Sequence, residues 1–139
     1  MATRLNPYLN FRGDARAAMT FYRDVFGGEL RMSTFEEFHA AQEPAERDLI
    51  MHAQLETPNG LTLMGSDVPG RMDFQPGSNN FSVSLSGENE AELTGYYDRL
   101  SQRGTVLQAL EKAPWGDAFG MVRDRFGITW LVNITAPKA

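Results

Sequence analysis

Hydrophobic and polar positions along this chain alternate with two periods, and the switches between them fall in the same order twice. Leu5 to Arg12 (LNPYLNFR) alternates Leu5, Tyr8 and Phe11 loosely with polar residues and predicts a strand. Pro7 lacks an amide donor and so belongs at the strand start or on a sheet edge. After Gly13 the period lengthens. Ala18, Phe21, Tyr22, Val25 and Phe26 fall at i, i+3, i+4, i+7 and i+8, one apolar face of a helix. Asp14 is placed to cap the first turn with its carboxylate, and Gly27-Gly28 to end the helix. Strands are predicted over Glu29 to Phe38, Leu49 to Thr57 and Leu61 to Ser66, with Pro58-Asn59-Gly60 as the turn between the last two. His39 to Asp48, polar and holding Pro44, predicts a mobile loop, and Asp67 to Asn79, rich in Pro and Gly, a linker.

The second half repeats the order. Asn80 to Ser86 alternates cleanly as a strand. Asn89 and Glu92 have capping-box spacing, and Leu93, Tyr96, Tyr97 and Leu100 form the apolar helix face that follows. Gly104 ends the helix, and Thr105 to Glu111 predicts a strand. Asp117 to Arg123 and Ile128 to Ile134 then form a hairpin around Asp124-Arg125-Phe126-Gly127. Phe119 and Met121 share one side of the first hairpin strand. Ile128, Trp130, Val132 and Ile134 share one side of the second. Laid on each other, the halves match Tyr8 with Phe81, Gly13 with Gly87, Tyr22 with Tyr97 and Gly28 with Gly104. Gly60 matches Gly127 at a shorter offset, because the His39–Asp48 loop is longer than its counterpart. Strand, helix and three strands, twice over, is the signature of a tandem βαβββ pair. The expected fold class is α+β: two modules, over about residues 1–68 and 79–139, forming an open curved mixed sheet around a cleft with the helices outside.

Composition narrows function mainly by exclusion. The chain has 139 residues, one domain's worth, and a formal net charge of −5 with its basic residues scattered, which disfavours nucleic acid as a partner. No apolar stretch approaches a membrane span, and MATRLNPYL lacks the apolar core of a signal peptide, so the expected location is cytoplasmic. There is no cysteine, hence no disulfide, thiolate chemistry or sulfur-ligated zinc. No Ser-His-Asp set or phosphate loop occurs.

The chemistry-bearing candidates are few. His52 alternates with Gln54 and Glu56 on one face of LIMHAQLE, opposite Met51, Ala53 and Leu55. Such a row can bind a polar ligand or supply an acid and base, with His52 as the candidate catalytic residue; it can equally be a hydrogen-bonded face at a dimer seam. Trp115, between Pro114 and Gly116, can stack on a ligand or plug the end of the core. Met64, Phe119, Met121 and Trp130 line either a cleft or the core. His39 in the polar loop reads as solvent-exposed, and Asp124 and Arg125 as turn chemistry.

PYLNFRGDARAAMTFYRDVFGGEL, IMHAQLE, LTLMGSD, NNFSVSLSGENEAEL and WGDAFGMVRDRFGITWLVN together resemble the vicinal oxygen chelate superfamily of glyoxalase, bleomycin-resistance and extradiol-dioxygenase proteins, and most closely its PhnB-like branch. The resemblance implies a cupped sheet with a ligand cleft, and usually a homodimer. Metal-using members hold a divalent ion with His, Glu or Gln from the first and last strands of each half. Here those strands offer Asn6, Pro7 and Tyr8; Met64; Asn80 and Ser82; and Trp130 and Leu131. The set is poor in hard-cation ligands, so the expectation is no metal and no other cofactor. Three functions follow: metal-independent binding of a small molecule, a glyoxalase-like lyase or dioxygenase with a divergent metal site at His52, or a non-catalytic dimeric interaction module.

Overall fold

A computed structural model describes residues 3–77 and 81–136. The chain divides into two compact units, Met1–Gln75 and Pro76–Ala139. The first holds β1 (Tyr8–Phe11), α1 (Ala15–Phe26), β2 (Glu29–Thr34), β3 (Ile50–Glu56) and β4 (Thr62–Asp67). The second holds β5 (Val83–Gly87), α2 (Glu90–Ser101), β6 (Thr105–Lys112), β7 (Ala118–Arg123) and β8 (Thr129–Ile134). Each unit carries one open four-stranded mixed sheet, ordered β1-β4-β3-β2 and β5-β8-β7-β6. The outer pairs β1·β4 and β5·β8 are parallel; the others are antiparallel. Pro7 directly precedes the edge strand β1.

Each helix covers one face of its own sheet, because the two periods meet there. On α1, Ala15, Ala18, Met19, Tyr22, Val25 and Phe26 are buried. Below them lie the alternate residues of the strands: Leu9 and Phe11, Ala53 and Leu55, Leu63 and Gly65. On α2, Leu93, Tyr96, Tyr97 and Leu100 are buried. Beneath it lie Gly120, Val122, Trp130, Val132 and Ile134. Residues at in-between positions face away from the helix, since successive side chains on a strand point to opposite faces.

Three local expectations need correction. Asp14 occupies the N-cap position of α1, but its carboxylate makes no cap bond. The buried Asp67 at the end of β4 does that work. Its Oδ1 accepts from the Gly13 and Ala15 amides (2.8 and 3.0 Å), and its Oδ2 from the Ile50 amide (3.0 Å). The 39–48 segment is not a loose loop. Pro44–Glu46 forms a 3₁₀ turn, and Glu46, 2 % exposed, accepts from the Gln42 amide and from Arg71 Nε at 3.2 Å. β2 stops at Thr34 rather than Phe38, because Glu37 Oε1 accepts the Thr34 amide and hydroxyl and turns the chain. The N-cap expectation for α2 agrees with the structure: Asn89 Oδ1 accepts from the Glu92 amide (3.0 Å). Asn80, expected to open β5, lies outside the described residues.

Candidate functional site

The helix-free face of the first sheet gathers polar side chains by simple alternation. Ala53 and Leu55 of β3 turn toward α1, so His52, Gln54 and Glu56 turn away. Antiparallel pairing sets Ser33, Arg31 and Glu29 of β2 opposite them, in the pairs Ser33↔His52, Arg31↔Gln54 and Glu29↔Glu56. These six residues line a hollow of about 180 Å³. On the other side of β3, Met64 of β4 pairs with Gln54, and Tyr8 of β1 pairs with Met64. The Tyr8 ring reaches back across β4 to lie 5.7 Å from the His52 ring, centroid to centroid, with 33° between their planes.

A continuous polar chain runs along this face. Tyr8 Oη lies 3.2 Å from His52 Nδ1, His52 Nε2 lies 3.4 Å from Gln54 Oε1, and Gln54 Nε2 donates to Glu56 Oε1 at 3.0 Å. Arg31 Nε donates to Glu29 Oε1 at 3.1 Å, and both side chains are well exposed. The sheet register thus joins three residues of β2 to a row legible on β3 alone. Glu29, Arg31 and Ser33 escaped the sequence reading, although their own period-two spacing carried the signal.

The second unit presents a different face. Phe119 and Met121 of β7 pair with Asn133 and Leu131 of β8, all four half-buried on the side away from α2. Trp115, 66 % exposed in the β6–β7 connection, lies 6.3 Å from Phe119 ring to ring. That connection is closed by the Ala113 amide donating to the Asp117 carbonyl (2.7 Å) and by Gly116 at φ +105°. The Asp117 carboxylate anchors it to β8 by accepting from the Ala136 amide (2.9 Å) and Asn133 Nδ2 (3.2 Å). These bonds, the backbone one foremost, hold its pKa below the ordinary carboxylate value. Trp130 does not join Phe119 and Met121. It points to the α2 side, is 1 % exposed, and donates from Nε1 to Asp124 Oδ2 at 2.8 Å; it is a core residue. Asp124 is the turn residue expected, its Oδ1 accepting from the Phe126 and Ile128 amides. A larger cavity of about 470 Å³ beside Glu90, Thr94, Glu111, Lys112, Ile134 and Thr135 includes none of the candidate residues, whereas the smaller hollow holds His52 and Gln54.

At the positions where the resemblance implies a metal, the described residues Asn6, Pro7, Tyr8, Met64, Ser82, Trp130 and Leu131 include no carboxylate or imidazole, a poor fit to a divalent ion; Asn80 lies outside the described residues. Tyr8 and Met64, in register, offer a phenol and a thioether, and Ser82 and Leu131 a hydroxyl and a hydrocarbon. Hard divalent ions take carboxylate and carbonyl oxygens, and borderline ones imidazole. Among the described residues no group of three or more His, Cys, Asp or Glu is arranged to hold an ion. The buried carboxylates Glu46, Asp67 and Asp124 are all occupied with amide, guanidinium or indole donors. Nor is any helix among the described residues long and apolar enough to cross a membrane.

Comparison with known proteins places these features. A family model described as Glyoxalase/Bleomycin resistance protein/Dioxygenase superfamily matches residues 4–132. Protein YjdN of Escherichia coli is 28 % identical over 94 % of this chain and 94 % of its own. The crystal structure of protein PA1353 from Pseudomonas aeruginosa is 34 % identical, with a TM-score of 0.80 over 98 % of this chain and all of that one. A Bacillus cereus structure described as a putative 3-demethylubiquinone-9 3-methyltransferase, PhnB protein, is 26 % identical, with a TM-score of 0.72 over 96 % of this chain and all of that one.

Proposed function

The chain belongs to the glyoxalase/bleomycin resistance protein/dioxygenase superfamily, with a PhnB protein among its relatives, and from that membership we propose that it binds a small polar molecule without the superfamily's usual metal. The observation that carries this reading is the hollow lined by Glu29, Arg31, Ser33, His52, Gln54 and Glu56, where donors and acceptors converge on the helix-free face of the first sheet. A hollow of about 180 Å³ has room for a small metabolite fragment, and its lining favours hydrogen bonding over apolar burial. Trp115 and Phe119 offer a separate stacking surface on the second unit. The alternative of a metal-dependent lyase or dioxygenase built on His52 is disfavoured, because both ring nitrogens already face protein partners. The homodimer is part of the proposal: exposed Phe81, Val106 and Leu107 supply apolar surface for it.

A thermal-shift screen of small polar metabolites and divalent ions tests the reading, since whatever binds only the folded state raises Tm. A metabolite is expected to raise Tm in the wild-type protein and to lose that effect in Arg31→Ala and Gln54→Ala. One tightly held ion per chain in protein purified without chelator would defeat the metal-free reading. If Trp115 takes part, the metabolite also changes its fluorescence. Sedimentation that shows only monomers at micromolar concentration would remove the dimer.

A further inference from the structure

The polar chain on the first sheet has a direction, and its chemistry sets that direction. An ionised carboxylate only accepts hydrogen bonds, so the Gln54 amide must turn its nitrogen to Glu56. The amide oxygen then faces His52, as the 3.4 Å contact with Nε2 shows. An amide oxygen only accepts, so Nε2 carries the hydrogen. In a neutral imidazole the other nitrogen, Nδ1, is then a bare lone pair. It lies 3.2 Å from Tyr8 Oη, and the phenol donates to it. Each step follows from which atoms can donate and which cannot. The chain therefore runs Tyr8 to His52 to Gln54 to Glu56, with every hydrogen pointing toward the carboxylate.

The consequence falls on Tyr8, which is 45 % exposed. Its one hydrogen is committed to His52, so its outward side presents only oxygen lone pairs. We propose that Glu56 and Gln54, acting through the His52 tautomer, make Tyr8 Oη a hydrogen-bond acceptor that selects ligands bearing a hydroxyl or N–H donor over those of the same shape without one. Glu56 and Gln54 are positioning residues here; Tyr8 makes the contact. This inference rests on the reading that the helix-free face of the first sheet binds a ligand, and it extends that site from the six residues lining the hollow to Tyr8, which meets the row at His52.

Two measurements on the whole chain at about pH 8.5, where imidazole is generally neutral, test it. Two-bond nitrogen–proton NMR reads the tautomer of His52 with no ligand present. The Nε2–H form is expected to dominate in wild type, and Gln54→Leu, which removes the amide acceptor, is expected to admit the Nδ1–H form. Dominance of Nδ1–H in wild type, or a tautomer ratio unchanged in Gln54→Leu, overturns the proposal. Phenol and toluene, in which a methyl stands in place of the hydroxyl, then serve as probes of closely matched shape, titrated against the shifts of the first-sheet amides. Phenol is expected to bind about fivefold more tightly, the worth of one neutral hydrogen bond, and Tyr8→Phe to abolish the difference while leaving the amide spectrum folded. Equal affinity for the two probes overturns the proposal and leaves the binding reading standing. If neither probe shifts these amides the proposal is overturned, and the binding reading falls with it only where the thermal-shift screen also finds no metabolite.

Discussion

At the scale of single residues, the most consequential side chain is one whose role local sequence conceals. Asp67 closes β4, yet its carboxylate serves the start of α1 and the start of β3. The buried Asp67 oxygens accept from three backbone amides at 2.8 to 3.0 Å, so one side chain ties two elements together. Asp67→Ala would leave the amides without acceptors, and the expected loss is about 3 kcal/mol in urea denaturation. Asp67→Asn keeps acceptor oxygen and should lose less. A loss below about 1 kcal/mol for the alanine variant would show that these bonds contribute little. Asp14, the residue that the helix-start pattern favours, should by contrast tolerate alanine, since its carboxylate makes no cap bond.

Asp117 carries the pH dependence at this scale. Its folded pKa lies below the ordinary value of 3.8, first through the Ala136 amide and then through Asn133. A depressed carboxylate contributes stability that is present above the unfolded pKa and disappears as pH falls through the folded one. The advantage of wild type over Asp117→Asn is thus expected to hold at neutral pH and to shrink as acid is added from the ordinary value downward. Urea midpoints of the two proteins measured at several pH values check this. A gap that stays constant into strong acid would show that the Asp117 charge contributes nothing.

At the scale of elements, the two helix-to-strand joints repeat the same close approach. A Cβ at Gly28 would lie 2.3 Å from the Glu56 carbonyl oxygen, and one at Gly104 would lie 2.5 Å from that of Arg123. Both carbonyls belong to the last residue of the third strand of their unit. The matched glycines of the repeat thus answer one packing problem twice: the chain leaving the helix must pass against backbone, which cannot yield as a side chain can. Gly28→Ala and Gly104→Ala are each expected to lose about 3 kcal/mol or more, as overpacked sites do. Gly60→Ala is the control. Its φ is +87° but nothing lies within 4 Å, so it should cost only about 1–2 kcal/mol, the penalty of a left-handed residue. Losses at Gly28 and Gly104 no larger than at Gly60 would show that the close approach contributes nothing, the more so at Gly104, whose φ is not positive. At the same scale, Glu46 and Arg71 explain why a segment polar enough to read as a loop is held in place: one ion pair and a 3₁₀ turn fix it.

At the scale of the whole molecule, one strand–helix–strand–strand–strand order serves both units, with the same sheet order in each. The chemistry is not duplicated. The helix-free face of the first sheet is a row of charged and amide groups, while that of the second carries Phe119, Met121 and Leu131. What the sequence alone determined was whatever depends on neighbours in the chain. Period 3.6 located the α2 face to the residue and the α1 face in the main, missing the buried Ala15 and Met19 and including the half-buried Phe21. Period 2 sorted His52, Gln54 and Glu56 from Ala53 and Leu55, and Gly60 and Gly127 marked their turns. What only tertiary structure decided was which of these rows meet. Tyr8 and His52 face each other because β4 lies between their strands, and Arg31 joins Gln54 because β2 pairs antiparallel with β3. Trp130 went to the core, not to the candidate site, because Asp124 and α2 both lie on its side of the sheet. Periodicity assigns a side chain to a face but leaves open which face is covered; the packed helix and the strand register settle that, and neither is a property of any short stretch of chain.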